Sequence, residues 1–592
     1  MERREILAAL EEMALLMTID GANPFKVRAF ENAARAIEAE GIDPAKAVAD
    51  GSLGTIKGIG ASLQEIITAL VLEGSHPDLD ELRSRIPAGV ATMTAIPGFG
   101  PKKAAQVFQE RQIDSIEALE AALQSGSLDD LRGFGQKTRE NILKGIAQLR
   151  QHSGRHRLDT AIEAIGPILE ALSQLHSVER LEPAGSLRRR RESVHDIDVV
   201  VATSDPAAVM AAFVTLAPGG EVLAHGTTKS SIRLSSGIQV DCRCVNLAQF
   251  PHTLQHFTGS KEHNIVLRAR ARKMGLKVSE WGLFPLDADG GEEPVGAGAP
   301  GAIYCPDEAA FYRRLGLQYI PPEMREGADE IELAEQGRLP RLVEAGDLVS
   351  VLHCHSTYSD GQNTLDDMAR TCAAKGYRAF AICDHSKAAH YANGLTPERV
   401  RKQWDHVGQL QPRLSAEFPG FELLRGIEAD ILPDGLLDYH HDGDLLDGFD
   451  VVVGSIHSSF KLDRETQTRR VLRAIEDPRL TIVGHPTGRL ILAREGYDID
   501  LEAVVRAAAA AGVAIEINGN PHRLDIDWRF GRLIRETGVM IAIGPDAHDL
   551  AGLDHMEYGL WMARKMGLEA RQVLNTLDGN GIRAFARARR QR

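Results

Sequence analysis

The sequence predicts a multidomain protein with a helical N-terminal region, an α/β middle and a β/α barrel-like C-terminal half. Three observations carry this. The 592 residues correspond to roughly four domains at about 150 residues each. Up to about residue 150, apolar positions recur at helical spacing in Ile6–Met17, Pro24–Ala39, Leu63–Leu72 and Lys102–Glu110. After Leu348, strand-like runs alternate with helices six or seven times, the pattern of a parallel barrel with its site at the strand C-terminal ends.

Composition narrows the class. Hydrophobic residues at 43% and charged residues at 26% describe an ordinary globular chain. Apolar runs such as Ala507–Ile515 fall far short of a membrane span, so no membrane is expected as a partner. The opening Met-Glu-Arg-Arg-Glu-Ile lacks a secretory pattern. Six cysteines without a Cys-x-x-Cys pair argue against a disulfide framework or a thiolate zinc site. A cytoplasmic monomer is expected. Net charge is 68 − 83 = −15, yet basic residues cluster in Arg132–Arg157, Arg188–Arg191 and Lys261–Lys277. Local patches of this kind matter more for phosphate binding than the global sum.

The helical region contains a repeat. Ile56-Lys-Gly-Ile-Gly60, Ile96-Pro-Gly-Phe-Gly100 and Leu131-Arg-Gly-Phe-Gly135 lie 40 and 35 residues apart, each ahead of a helix. The glycines permit a tight turn, and amides at the following helix start are free to face a phosphate oxygen. These elements resemble helix-hairpin-helix motifs, which implies a sequence-blind grip on DNA through Gly58, Gly60, Gly98, Gly100, Lys102 and Lys103. Gln136 follows the third turn, which reads equally well as a plain connection.

In the middle of the chain, His195–Val201 and Ile238–Val245 read as strands. Asp196 and Asp198, two apart, leave one face of the first strand, and Asp241 lies in the second. Three converging carboxylates suit two Mg²⁺ (or Mn²⁺) ions holding a triphosphate. Gly185-Ser186-Leu187-Arg188-Arg189, just ahead, offers a small-residue turn, a hydroxyl and guanidinium groups for phosphate oxygens. Over roughly residues 1–325 the chain resembles the family X DNA polymerases of the nucleotidyltransferase superfamily.

That resemblance implies an α/β nucleotidyltransferase palm in which Asp196, Asp198 and Asp241 are the catalytic metal carboxylates. It makes Gly185, Ser186 and Arg189 the triphosphate contacts and Phe257-Thr258-Gly259-Ser260 the loop against the incoming sugar. Asn264 and Arg268 would flank the nascent base pair. The chain also departs from the pattern. His256 stands where tyrosine is familiar, Arg190 and His195 replace glycines, and Lys261 replaces an acid. These changes imply altered triphosphate contacts and looser discrimination against a ribose 2′-OH. Animal relatives use a lysine after the first hairpin to form a Schiff base with a 5′-deoxyribose phosphate. Ser62 and Ile66 occupy its two positions here, so no lyase step is expected; Lys26 and Lys57 are the nearest other amines.

The C-terminal half carries a second ligand set. His353 and His355 share a strand face, and Asp360, His385, Glu428, His457, His485, Asp546 and His548 follow at or near the ends of later runs. Six imidazoles and three carboxylates suffice for up to three divalent metals of the Mn²⁺, Zn²⁺ or Fe type. The set resembles the PHP (polymerase and histidinol phosphatase) domain, which implies a phosphoesterase on a distorted β/α barrel. One metal would take His353, His355, Glu428 and Asp546, and a second Asp360, His385 and His548. Glu428 would bridge to a third, held by His457 and His485. Arg489 and Arg523 stand near strand ends as candidate phosphate contacts.

The expected organisation is 1–84 and 85–152 as helical DNA-binding parts, 153–257 as palm and 258–325 as nascent-base-pair subdomain. An acidic linker (326–347) and the PHP domain (348–592) follow. Fusion of the two modules resembles the bacterial family X polymerases with a C-terminal PHP domain. That implies a DNA-dependent polymerase acting on gapped or nicked duplex with dNTPs, joined to a metal-dependent 3′→5′ exonuclease. Abasic-site endonuclease and 3′-phosphatase are further family activities. The residues alone leave open a barrel acting on a small phosphate or pyrophosphate, and a DNA end-binding scaffold with an inert palm.

Overall fold

Each glycine repeat closes the same turn. In the computed structural model, which describes residues 3–39, 42–56, 58–152, 154–217, 219–286, 296 and 298–591, the helices after the repeats are α1 (Ala61–Glu73), α2 (Pro101–Arg111) and α3 (Gln136–His152). The first glycine of each repeat is left-handed, with φ of 96° at Gly58, 80° at Gly98 and 90° at Gly133, a conformation that favours glycine. The residue between the glycines, Ile59, Phe99 or Phe134, is buried and pins the turn to the core. Its amide bonds back to the carbonyl of Ile56, Ile96 or Leu131 at 2.9–3.1 Å. The third repeat, ambiguous in sequence, therefore shares the geometry of the first two. Lys57 lies outside the described residues.

The chain divides into two compact units, Met1–Ser153 and Gly154–Arg592. In the first, a single apolar core runs from Ile6 to Ile146, so the expected 1–84 and 85–152 parts share one interior. Phe99 and Phe134 meet edge to face at 6.3 Å, joining the second and third hairpins. Ile66 is buried in this core, a place where a lysine amine would be stranded.

The second unit contains two sheets that position the chemistry. The palm sheet comprises β1 (Val178–Pro183), β2 (Asp196–Thr203), β3 (Glu221–His225), β4 (Lys229–Arg233) and β5 (Gln239–Val245), ordered β1-β2-β5-β4-β3. Only β2 and β5 run parallel, with Asp198 directly opposite Asp241. The barrel follows with β6 (Ser350–Cys354), β7 (Ala379–Ile382), β8 (Glu422–Asp430), β9 (Val451–Ser455), β10 (Ile482–Val483), β11 (Ala514–Asn518) and β12 (Ile541–Gly544). All seven are parallel and in chain order. Asn575 bridges the first and last strands: its Nδ2 donates to the Ser350 and Ile543 carbonyls at 3.0 and 2.9 Å, and its Oδ1 accepts the Ile543 amide at 2.7 Å. One polar side chain thereby satisfies backbone groups that barrel closure leaves exposed.

The acidic stretch 326–347 is a packed connector. It includes the short helix Glu330–Glu335, Glu330 pairs with His263 at 2.7 Å, and Val343 bonds to Leu568 and is buried. All six cysteines are free and buried. Among the described residues no helix is long and apolar enough to cross a membrane.

Candidate active sites

All nine expected barrel ligands converge at the C-terminal ends of β6–β12. The Glu428 carboxylate is the hub. Its Oε1 lies 3.2 Å from His353 Nε2, 3.3 Å from His457 Nε2 and 3.0 Å from His485 Nε2. Its Oε2 lies 2.9 Å from His385 Nδ1 and 3.7 Å from His355 Nε2. Asp546 Oδ1 is 3.3 Å from His355 Nε2, and Asp360 lies 3.6 Å from His385 and 3.5 Å from His548. Three groups have ligand atoms mutually within 4.8 Å: His355–Asp360–His385–His548, His353–His355–Glu428 and His385–Glu428–His457. The grouping read from sequence is close to this, but His355 and His385 each stand in two clusters.

The residues fit metal ions. His353 Nε2, His355 Nδ1 and Nε2, His385 Nδ1, Glu428 Oε2 and His485 Nδ1 are buried and, although several stand at ion-pair distance from one another, none is aligned for a hydrogen bond. Six such atoms in one pocket would each carry a desolvation cost without a cation. Buried His353 and Asp546 are left-handed, at φ 67° and 50°, so two of the candidate ligands adopt backbone conformations that non-glycine residues rarely hold.

Four supporting residues escaped sequence reasoning. Glu516 Oε1 sits 2.5 Å from His353 Nδ1, while its Oε2 accepts the His485 amide at 2.5 Å. Asp430 accepts from His457 Nδ1 at 2.8 Å. Asn518 donates to Asp546 at 3.0 Å. Asp384, fully buried, accepts from the Ser356 and Ser359 amides and hydroxyls and from Gln403, which fixes the loop carrying Asp360. These contacts orient the imidazoles and select their tautomers. Glu-x-Asp at 428–430 and Glu-x-Asn at 516–518 were the available signals, since alternate strand residues share a face. Among the candidate phosphate arginines, Arg489 is spent on Asp527 at 2.5 Å and on the carbonyls of Arg523 and Leu524, whereas Arg523 lies 3.3 Å from Asp546.

In the palm, Asp196, Asp198 and Asp241 come together as expected. Burial, then Asp196 and Asp241, push the Asp198 carboxyl up to about 7. The Asp241 carboxyl is opposed by burial but held below its ordinary range by Gln239, Ser231 and Lys229, the last at 3.2 Å. This crowding of carboxylates is an acceptor-only set suited to hard divalent cations. Gly185 is left-handed at φ 61°, and a Cβ there would stand 2.4 Å from Asp198 Oδ2. The phosphate turn and the carboxylate strand are thus in direct contact only because the residue is glycine.

Comparison with known proteins matches this arrangement along the whole chain. It is 38% identical over 587 residues to the "DNA polymerase/3′-5′ exonuclease PolX" of Bacillus subtilis (strain 168), covering 99% of each. The chain belongs to the bacterial family X DNA polymerases with a PHP domain. Family profiles match a helix-hairpin-helix domain at residues 1–76, a DNA polymerase beta thumb at 253–326 and a PHP domain at 352–520. The barrel half alone is 30% identical over 260 residues to a probable phosphatase of Thermoanaerobacter sp. (strain X514), 41% of this chain and 97% of that one. It is 28% identical to the probable phosphatase YcdX of Escherichia coli (strain K12 / DH10B), over 40% of this chain and 96% of that one.

Residues 253–326, the thumb match, hold Phe257, Gly259, Asn264 and Arg268. Asn264, on the helix Lys261–Lys273, donates to the His256 carbonyl at 2.9 Å, and Arg268 reaches His256 Nδ1 at 3.4 Å. Burial, then Arg268 and Arg243, push the His256 imidazole down to about 4, which favours a neutral ring there. His256, Arg268, Arg272, Lys277 and Trp281 line a cavity of about 800 Å³. Phe257 stacks under the Arg243 guanidinium at 4.6 Å. Arg189, the expected phosphate arginine, is engaged by Glu326 at 3.1 Å and by the Thr258 carbonyl. The basic run 188–191 is therefore a set of paired side chains: Arg188 meets Glu308 at 2.7 Å and Arg191 meets Glu326 at 3.2 Å.

Proposed function

We propose that this polymerase fills short gaps in duplex DNA, of the kind left in base excision repair, by adding dNTPs to a primer 3′-OH in the palm. The barrel trims 3′ ends hydrolytically, with abasic-site and 3′-phosphate cleavage as further uses of the same site. The register that sets Asp198 opposite Asp241, with Asp196 two residues before and Gly185 packed on Asp198, carries this reading.

Divalent ions, Mg²⁺ or Mn²⁺ in the palm and Mn²⁺, Zn²⁺ or Fe in the barrel, supply Lewis-acid polarisation of the phosphoryl group. Asp196, Asp198 and Asp241 would hold them in the palm, and the nine histidines and carboxylates in the barrel. Gly185, Ser186 and Arg189 bind triphosphate oxygens, Phe257 and Gly259 pack on the sugar, and Asn264 and Arg268 face the new base pair. The glycine turns at residues 58–60 and 98–100, with Lys102 and Lys103, take backbone phosphates.

Tyr391, 71% exposed, stands with its ring 6.2 Å from His385 and 6.3 Å from His457. An open aromatic face beside the ligands suits a terminal nucleobase and favours a DNA end over a small phosphate.

The test is a labelled one-nucleotide gap incubated with and without dNTPs across Mg²⁺, Mn²⁺ and Zn²⁺. Asp198→Asn should abolish insertion and spare 3′ trimming; His353→Ala should do the reverse. Loss of both activities in either folded variant would refute two independent sites.

A further inference from the structure

The segment between the phosphate turn and the carboxylate strand is held by the barrel. Arg189 to Glu192 begins the link from Gly185–Arg188 to β2, which continues through Ser193–His195, so its position bears on both halves of the palm site. Four side chains of the PHP domain grip it: Lys565 and Trp561 from the helix His555–Lys565, and Trp528 with Arg529.

The Lys565 side chain is fully buried. Its Nζ donates to the Arg189 carbonyl at 2.9 Å, the Glu323 carbonyl at 3.2 Å and Glu326 Oε1 at 2.5 Å. Glu326 in turn holds the side chains of Arg189 and Arg191. Arg190 keeps a left-handed backbone of the kind glycine prefers, at φ 55°. It stacks its guanidinium 3.8 Å over the Trp561 ring. Glu192 accepts from Trp528 Nε1 at 2.9 Å and from Arg529 at 3.1 Å. Residues other than glycine rarely hold the left-handed conformation, and the cation–π contact helps to keep Arg190 in it.

We propose that the PHP domain is a positioning element for nucleotide addition, with Lys565 holding the Arg189 turn and Glu326 so that the Arg189 guanidinium is presented to a triphosphate. The physical logic is charge allocation. Glu326 faces Arg189, Arg191 and Lys565 together, and a carboxylate shared among three cations binds each of them less exclusively than it would one. With Lys565 in place, Arg189 can exchange Glu326 for a phosphate oxygen while Lys565 and Arg191 keep the carboxylate compensated. Without Lys565, Glu326 holds Arg189 more tightly, and the Arg189 carbonyl loses its buried donor. Burial pulls the Lys565 ammonium down to about 8 against the pull of Glu326, which marks it as a charge retained in an unfavourable place. The contacts of Lys565 Nζ are with Arg189, Glu323, Glu326 and Trp528 and with none of the nine barrel residues, so the barrel's own hydrolysis should not depend on it. The inference rests on the assignment of the palm as the triphosphate site.

The experiment uses full-length Lys565→Met and, separately, Trp561→Leu. Each is measured for single-nucleotide insertion on a one-nucleotide gap, for Mn²⁺-dependent 3′ trimming without dNTPs, and for Tm. The expected result is a rise of about tenfold or more in the KM for dNTP in Lys565→Met. Trp561→Leu should give a smaller rise, with trimming within twofold of wild type in both. Lys565→Arg, which keeps the charge, should recover part of the lost affinity. An unchanged dNTP KM in folded Lys565→Met would overturn the proposal, as would a parallel fall of insertion, trimming and Tm, which would make Lys565 a purely structural clamp. Asp198→Asn in the same series separates the two ideas: if it still inserts nucleotides, the palm assignment itself has failed.

Discussion

Replacing Glu516 by glutamine should weaken metal binding in the barrel by ten- to a hundredfold while leaving nucleotide insertion intact. Glu516 touches none of the bonds that react, but its two oxygens hold two ligands, the His353 ring and the His485 amide, each at 2.5 Å. An amide has only one acceptor oxygen. Whichever way the glutamine turns, its NH₂ faces either the His485 N–H or His353 Nδ1. Facing His485 it sets two donors against each other, and facing His353 it donates to Nδ1 and drives the ring proton onto Nε2, the nitrogen turned to Glu428. Either way a buried charge-assisted hydrogen bond worth about 1.5–3 kcal/mol is given up. Loss of a residue that orients a metal ligand costs roughly 10–100-fold in metal affinity, or about 1.4–2.7 kcal/mol, so the two routes agree. Gly544→Ala should act in the same direction, because its Cβ would fall 2.0 Å from Glu516 Oε1. Metal affinity can be followed by chelator competition, alongside 3′ trimming at limiting Mn²⁺. An affinity within twofold of wild type would refute the idea that Glu516 sets the ligand geometry.

Three further outcomes follow from the same geometry. Lys102→Ala with Lys103→Ala should flatten the log–log salt dependence of DNA binding by about one to two units, since each neutralised phosphate contributes about 0.9; an unchanged slope would mean that these lysines face solvent. Glu308 is opposed by burial, but Arg325 and Arg188 hold its carboxyl down to about 2 from an ordinary 4.5, so it stabilises the fold above the ordinary value and loses that contribution as pH falls toward 2. Between pH 5 and 3.5 the wild type should therefore lose about 1 kcal/mol of unfolding free energy that Glu308→Gln does not, and parallel pH profiles in denaturant would contradict this. Borohydride trapping on a 5′-deoxyribose phosphate substrate should give no stoichiometric adduct, because Ile66 is core and Ser62 has no amine. An adduct removed by Lys26→Ala or Lys57→Ala would reverse that expectation.

What the chain alone determined was the chemistry of its sites. Ligand residues sit next to strand-like runs, glycines mark each hairpin turn, and Asp-x-Asp places two carboxylates on one face; these are local properties, readable at spacings of two to four residues. The helices Arg3–Ile19, Pro24–Ala39, Ala61–Glu73 and Pro101–Arg111 and six of the seven barrel strands were legible for the same reason, whereas the shorter helices Pro44–Ala49, Pro77–Arg85, Ala88–Met93 and Ile116–Ser125 were not read. The strand Glu422–Asp430 was harder, because Arg425, Glu428 and Asp430 interrupt its apolar pattern: Arg425 stacks on Trp404 of a flanking helix, while Glu428 and Asp430 meet histidines at the strand ends. Tertiary structure decided which charges support the sites and which are consumed. Glu516 reads as a stray charge until β6 and β11 bring it to His353. The run Arg188–Arg191 reads as a phosphate patch until Glu308, Glu326 and Trp561 arrive from 120 or more positions along the chain. Pairing of this kind depends on which elements the closing barrel and the packed connector bring together. Burial then makes it decisive, since a charge removed from water must find its partner wherever the fold supplies one.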